Sequence, residues 1–190
     1  MRKQSKLPID ELNVFQQYIE KISSSEIEEM DPLEIEDTLE DLLVMAYVFG
    51  TDAANEDLET NIDVDIEFMD ISINKTIADK TWRERLREAI SRNDNVAYEI
   101  QRIAETESHR IYNEAMFDTA VKSGLPINKK WVTMLDNKVR ETHDLLEGVS
   151  VKLDERFYTN DGDSALMPGG FERADNNINC RCELVFLKDI

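Results

Sequence analysis

The sequence contains few of the residues that build disulfide-rich or redox-active proteins. Cysteine occurs twice in 190 residues, at Cys180 and Cys182, with one residue between them. Two cysteines cannot supply a disulfide framework, and this spacing is not the Cys-x-x-Cys of a thiol–disulfide active site. The cysteine content therefore favours a reducing cytoplasm.

Long apolar runs and an excess of basic charge are also missing. The longest apolar run, residues 42–49, has eight residues, whereas a membrane-spanning helix needs about 20. The sequence has 22 Lys and Arg against 41 Asp and Glu, a net charge of −19. Proteins that grip phosphate backbones depend on clustered Lys and Arg. We therefore expect no membrane partner and no tight, direct binding to DNA.

Acidic charge is abundant and unevenly distributed. Residues 1–74 contain 20 acidic and 4 basic residues, whereas residues 75–190 contain 21 and 18. The two segments carry net charges of −16 and −3. This asymmetry predicts an acidic, mainly helical N-terminal region over residues 1–74, followed by a nearly neutral domain over residues 75–190.

Two amphipathic helices are predicted in the acidic region. One covers the apolar residues from Leu12 to Ile22, and the other begins at Asp31 and Pro32 and ends at Gly50. They form either a helical hairpin with solvated acidic faces or an arm whose apolar stripes dock on a partner. Residues 61–68 alternate apolar and acidic side chains, which predicts a strand or an extended linker.

The second part has the pattern of an α+β domain. A capping box at Thr81 and Glu84 predicts a short helix through Ile90, and a long helix is predicted over residues 96–123, ending at Gly124. Strands are predicted over residues 130–135, 149–153 and 180–187, a short helix over 137–146, and a loop over 159–170. The expected fold is one long helix, a short helix and a small, mainly antiparallel sheet.

One position of the long helix departs from its apolar stripe. Glu107 stands where an apolar residue is expected. Either the stripe ends or rotates there and Glu107 is solvated, or its carboxylate is buried and needs a cation. For the second alternative, we expect Glu107 to pair with Arg140 or Arg181.

The two cysteines allow two interpretations. If they lie in the last strand, their side chains share one face, where free cysteines serve as small hydrophobic residues. Alternatively, Cys180, Cys182 and His143 bind a metal ion, which for these ligand types would be zinc, with His109 or Asp136 as a fourth ligand. The sequence offers one tight pair of ligands rather than the usual two pairs.

His143 also raises the question of catalysis. Asp136, Arg140 and His143 would share one face of a helix, either as a local Asp136–Arg140 pair or as part of a polar cluster with Arg181 and Glu107. A histidine base beside a carboxylate could serve a metal- or His-dependent nuclease-like domain. The sequence shows no nucleophile, phosphate-binding glycine loop or paired carboxylates for it, so a protein without catalytic activity is favoured.

Three motifs, taken in order, resemble the phage Mu protein F-like family of head morphogenesis proteins. The first is AETESHR at residues 104–110, where Glu105 replaces the arginine often found in the family. The second is KWVT at residues 130–133, followed by an Asp, an Arg, a His and a Gly through residue 148. The third is INCRC at residues 178–182. The resemblance covers about residues 75–190.

The resemblance implies a minor head protein of a phage or prophage. The resemblance implies that such proteins are minor head components that sit with the portal inside a procapsid. Some of them are implicated in DNA packaging or ejection. We expect portal, capsid and scaffold partners, proximity to packaged DNA, assembly in the bacterial cytoplasm and a final place in the head. Some relatives carry an appended toxin or nuclease domain after the Cys-Arg-Cys motif. The sequence ends eight residues after Cys182, so we expect no such enzyme here.

Within this family interpretation, the polar residues of the motifs are expected to form a structural network. Its members are Thr106, Glu107, Trp131, Asp136, Arg140, His143, Asn179 and Arg181. For the acidic region three roles are open: docking on a basic portal or scaffold surface, keeping the chain soluble, or mimicking DNA. Docking is the interpretation we favour.

Overall fold

A computed structural model describes residues 30–92 and 95–188. The helix predicted from Leu12 to Ile22 lies outside the described residues. The helices, in chain order, are α1 (Pro32–Leu58), α2 (Ile66–Ile73), α3 (Trp82–Arg92), α4 (Val96–Ser123), α5 (Glu141–Asp144) and α6 (Ala174–Asn177). The strands are β1 (Ile127–Val132), β2 (Ser150–Lys152), β3 (Phe157–Tyr158), β4 (Ser164–Ala165) and β5 (Glu183–Lys188). The predicted α+β class, with one long helix, short helices and a small antiparallel sheet, is confirmed.

Helix α1 begins as predicted but runs further. Asp31 caps it by accepting a hydrogen bond from the Leu33 N–H at 2.8 Å, and Pro32 opens the first turn. The prediction that it ends at Gly50 is wrong, because the helix continues to Leu58. Gly50 serves close packing instead. A Cβ at this position would overlap the Tyr112 carbonyl and come within 2.9 Å of the Ala115 Cβ.

The predicted strand or linker at residues 61–68 is also corrected, because helix α2 begins at Ile66. The Asp65 carboxylate accepts a hydrogen bond from the Phe68 N–H at 2.9 Å and so caps this helix. In the sequence, Asp65 fits the polar positions of an alternating strand pattern. In the structure it is the N-cap of a helix.

The two helices of the second part follow their sequence signals. The capping box at the start of α3 is present: the Thr81 N–H donates to Glu84 at 2.7 Å, and the Glu84 N–H donates to the Thr81 hydroxyl at 3.3 Å. Helix α4 spans the predicted residues 96–123, and Gly124 ends it in a left-handed conformation.

The strands are shifted relative to the sequence predictions. β1 pairs antiparallel with β2 on one edge and with β5 on the other, giving the order β2-β1-β5. β3 and β4 form a separate two-stranded hairpin. Its second strand, β4, lies within the predicted 159–170 loop. The last strand begins at Glu183, so both cysteines precede it.

The core has two parts, and α1 and α4 contribute to both. The first part packs α1, α3 and α4 together through side chains such as Leu39, Trp82 and Ile100. The second part packs the ends of α1 and α4 on the sheet through Leu58, Met116 and Trp131. The described part of the acidic region is therefore built into the core. Its helices, like the others in the described part of the chain, are too short or too polar to cross a bilayer.

Candidate metal centre

His143, Cys180 and Cys182 meet in the interior. Their ligand atoms all lie within 4.8 Å of one another. The Nδ1 atom of His143 lies 3.6 Å from the Cys180 sulfur and 3.5 Å from the Cys182 sulfur. The three residues are between 1% and 5% exposed, and both cysteines are free thiols. The structure therefore brings together three of the residues that the sequence suggested as metal ligands.

Aromatic packing fixes the His143 ring. The ring meets Trp131 edge-on, with centroids 5.5 Å apart, and stacks on Phe171 at 5.2 Å. Nε2 is buried and has no hydrogen-bond partner among the described residues. Packing, rather than a second hydrogen bond, therefore turns Nδ1 toward the two thiols.

Helix α4 positions the segment that carries the cysteines. Asn179 adopts a left-handed conformation with φ of 57°, and its N–H donates to the Thr106 hydroxyl at 3.0 Å. Asn113 donates its side-chain amide to the Cys182 carbonyl at 3.0 Å and accepts from the Leu184 N–H at 2.9 Å. These bonds anchor the segment on α4 just before β5 starts.

Two arginines from the predicted network also hold the segment that carries the cysteines. Arg140 donates to the carbonyl of Asn176 at 2.8 Å and to that of Ile178 at 2.5 Å. Arg181 forms two hydrogen bonds of 2.8 Å with the Asp136 carboxylate. This two-pronged pairing lowers the pKa of Asp136 to about 2.

The predicted helical face shared by Asp136, Arg140 and His143 is wrong. The helix is α5, which begins only at Glu141, because Arg140 has an extended backbone and Asp136 turns its side chain to the Lys138 N–H. Asp136 pairs with Arg181 rather than with Arg140. The predicted residues still converge, but through contacts to the cysteine segment rather than through one helix.

The thiols differ in their electrostatics. A hydrogen bond with Cys182, followed by the His143 ring, lowers the pKa of Cys180 well below its usual range. The same bond and burial raise the pKa of Cys182. These surroundings favour the thiolate at Cys180 over Cys182, and thiolate is the form of cysteine that binds metals.

The trio adjoins a small cavity of about 10 Å³, about the space that one water needs. Its lining includes the three candidate ligands together with Arg140, Asn179 and Arg181. His109 and Asp136, the candidates for a fourth ligand, do not join the trio, which is the only cluster of three such groups in the described part of the chain. Burial lowers the pKa of His109.

Glu107 belongs to a different network. It is fully buried, which settles the alternative left open by the sequence, but the predicted pairing with Arg140 or Arg181 is wrong. Its carboxylate pairs with Arg85 of α3 and with Arg110 of its own helix. Arg110 also binds Glu114 at 2.8 Å and the Ser72 carbonyl at 2.8 Å. Sequence reasoning missed these partners, although Arg110 and Glu114 lie three and seven residues after Glu107, on the same side of α4.

The fold and its motifs agree with comparisons to known proteins. The sequence model of the family described as "Phage Mu protein F like protein" matches residues 71–185, more than half of the chain. The chain therefore belongs to the phage Mu protein F-like family, and the resemblance seen in the three motifs is confirmed.

Two curated relatives match parts of the chain. "Minor head protein GP7" of Bacillus phage SPP1 is 32% identical over 88 residues, 45% of this chain and 29% of that protein. "NAD(+)--arginine ADP-ribosyltransferase EFV" of Enterococcus faecalis is 37% identical over 91 residues, 46% of this chain and 18% of that protein. The chain thus spans less than a third of the length of these relatives. No solved structure is significantly similar to it.

Proposed function

We propose that the chain is a minor head protein that acts in head morphogenesis by docking on the portal and neighbouring capsid or scaffold proteins. The observation that carries this proposal is membership of the phage Mu protein F-like family, together with similarity to a phage protein named as a minor head protein. The chain would assemble in the cytoplasm of the bacterial host of a phage or prophage and reside in the procapsid and head. DNA packaging or ejection is the step in which it would take part.

The acidic region supplies the docking surface. Residues 30–74 contain 14 acidic residues and no basic one. Glu36 is neutralised by Arg83 and Arg87 of α3, at 3.2 and 2.9 Å. Asp37, Asp52 and Glu56 are exposed on α1, and they fit a partner surface that is basic. We propose that residues 1–74 form this docking region and that residues 75–190 form the family domain.

The site residues support a structural role more than a nuclease. His143 is 1% exposed and faces two thiols and two aromatic rings. A general base must reach the proton that it removes, and this ring is almost fully buried. Five polar residues instead hold the backbone segment that carries the cysteines in place. They are Thr106, Asp136, Arg140, Asn179 and Arg181.

Co-expression with the portal protein encoded beside the chain tests the docking proposal. Gel filtration at low salt should show co-elution, and higher salt should weaken it because exposed charges are screened. The double variant Asp37→Lys, Glu56→Lys should abolish co-elution. The matched control, Asp144→Lys with Asp154→Lys, changes the net charge equally at exposed positions outside α1 and should retain it. Separate elution at every salt, or equal loss in both double variants, would contradict the proposal.

A further inference from the structure

We infer that His143, Cys180 and Cys182 bind a zinc ion, with a water molecule as fourth ligand. The set consists of two sulfur atoms and one imidazole nitrogen, which are ligands that zinc prefers among the common divalent cations. The three side chains come from two separate segments, α5 and the residues before β5.

The spacing of the ligand atoms fits a tetrahedral ion. Zinc bonds of about 2.3 Å to sulfur and about 2.05 Å to nitrogen, at a tetrahedral angle, place the two ligand atoms about 3.6 Å apart. The observed distances from His143 Nδ1 are 3.6 Å to Cys180 and 3.5 Å to Cys182. Each sulfur atom therefore lies at the distance from Nδ1 that a shared zinc ion requires.

Hydrogen bonds join the three groups only in pairs, between the two thiols and from the imidazole to one sulfur atom at a time. Nδ1 of a histidine carries either one proton or one lone pair, so it forms one good hydrogen bond at a time. Here two sulfur atoms lie at nearly equal distances from it, in the interior, where unpaired polar groups are costly. One cation at the centre satisfies the nitrogen and both sulfur atoms together.

The adjacent cavity indicates the fourth ligand. Its volume of about 10 Å³ admits one water. We assign the ion a structural role because it joins two short elements of the fold. The ion joins α5 to the segment that follows α6. Each of these two helices has only four residues. Helices this short have little stability of their own, so a bound metal contributes directly to folding.

Metal analysis of the purified full chain tests this inference. After exhaustive dialysis against metal-free buffer, mass spectrometry should find about one zinc per chain. His143→Gln and Cys182→Ser should each lose most of it. His109→Gln is the matched control, because it removes the other histidine of the chain, which lies within α4, and it should keep the zinc. A wild-type chain without zinc, or a His143→Gln variant that retains the full amount, would overturn the inference.

A second measurement does not depend on the variants folding. The wild-type chain is stripped with a chelator and titrated with Co²⁺, whose visible spectrum reports tetrahedral geometry and thiolate ligation. We expect both signatures to appear and to saturate at one equivalent, and Zn²⁺ to displace them. An octahedral spectrum without thiolate charge transfer would contradict the proposed ligand set.

Discussion

The carboxylate of Glu107 accepts two hydrogen bonds from the guanidinium of Arg110, at 2.9 and 2.7 Å, one turn further along the same helix. Both side chains are buried, and Arg85 of α3 pairs with the same carboxylate. This relationship explains how a charged residue occupies the apolar stripe of α4. It also joins α3, α4 and the end of α2, because Arg110 binds the Ser72 carbonyl.

Removal of the buried carboxylate should be strongly destabilising. We predict that Glu107→Ala lowers the free energy of unfolding by about 3–5 kcal/mol, because it removes the carboxylate that Arg85 and Arg110 share and leaves the buried Arg110 with Glu114 as its one acidic partner. Urea denaturation followed by circular dichroism measures this change. The matched control is Glu99→Ala, which removes an acid from a more exposed i,i+3 pair with Arg102 on the same helix and should cost less than about 1 kcal/mol. Equal losses in the two variants would contradict the burial argument.

Close packing of α1 on α4 can be tested at Gly50. Glycine to alanine inside a helix normally gains up to about 1 kcal/mol. At this position the new Cβ would overlap the Tyr112 carbonyl, so we predict a net loss of about 1–3 kcal/mol. Asp52→Ala, at an exposed position two residues later, should stay within about 0.5 kcal/mol of wild type. A Gly50→Ala variant that is more stable than wild type would show that the helices do not approach this closely.

Lys129 provides a pH-dependent prediction. The residue is fully buried, its Nζ donates to the Leu153 carbonyl at 2.7 Å, and it lies over the rings of Phe117 and Phe157. Burial lowers the pKa of Lys129 to about 8, against about 10.4 in an unfolded chain. Between these values the unfolded state binds more protons, so the contribution of Lys129 to stability rises with pH. Below pH 8 both states are protonated and the burial penalty is present in full.

We therefore expect the stability of the wild-type chain, relative to Lys129→Met, to increase between pH 7.5 and 10. Thermal denaturation at several pH values measures this difference. Lys152→Met, which removes an exposed lysine of the neighbouring strand, should follow wild type across the range. A constant difference between wild type and Lys129→Met would refute the shifted pKa.

The support around the proposed zinc ligands gives a further prediction. Arg140 fixes the two carbonyls that precede the cysteine segment. Arg140→Met should lower the affinity for Zn²⁺ about 10- to 100-fold, the usual effect of removing an outer support of a metal site. Competition with a chromogenic chelator measures the affinity. Arg173→Met is the control, because Arg173 is exposed and pairs with Asp161 and Asp175. Unchanged affinity in Arg140→Met would show that this support is dispensable.

Local signals in the sequence predicted the elements that depend on local chemistry. The caps at Asp31 and Thr81 and the C-terminal Gly124 mark true helix ends. Gly50 and Asp65 each led to a wrong prediction. Gly50 is a glycine that the close approach of a neighbouring helix requires, and Asp65 is an N-cap within an alternating pattern. The role of Gly50 depends on which helix packs against it, whereas the Asp65 cap is local chemistry that the alternating pattern around it conceals.

The candidate site was predictable in its ligands but not in its partners. Cys180, Cys182 and His143 could be named from residue type and from the motifs, since few other soft ligands exist in the sequence. The partner of Glu107 could not be chosen from sequence, because several arginines were available and only the crossing of α3 over α4 selects Arg85. The same holds for Asp136, whose partner Arg181 is 45 residues away.

The most direct test of the proposed function is the protein content of phage heads. Heads and procapsids are purified on density gradients from the phage or induced prophage that encodes the chain, and their proteins are quantified by mass spectrometry. We predict that the chain is present in both, at far fewer copies than the major capsid protein, and absent from separated tails. Heads and procapsids that lack the chain would contradict its assignment as a minor head protein.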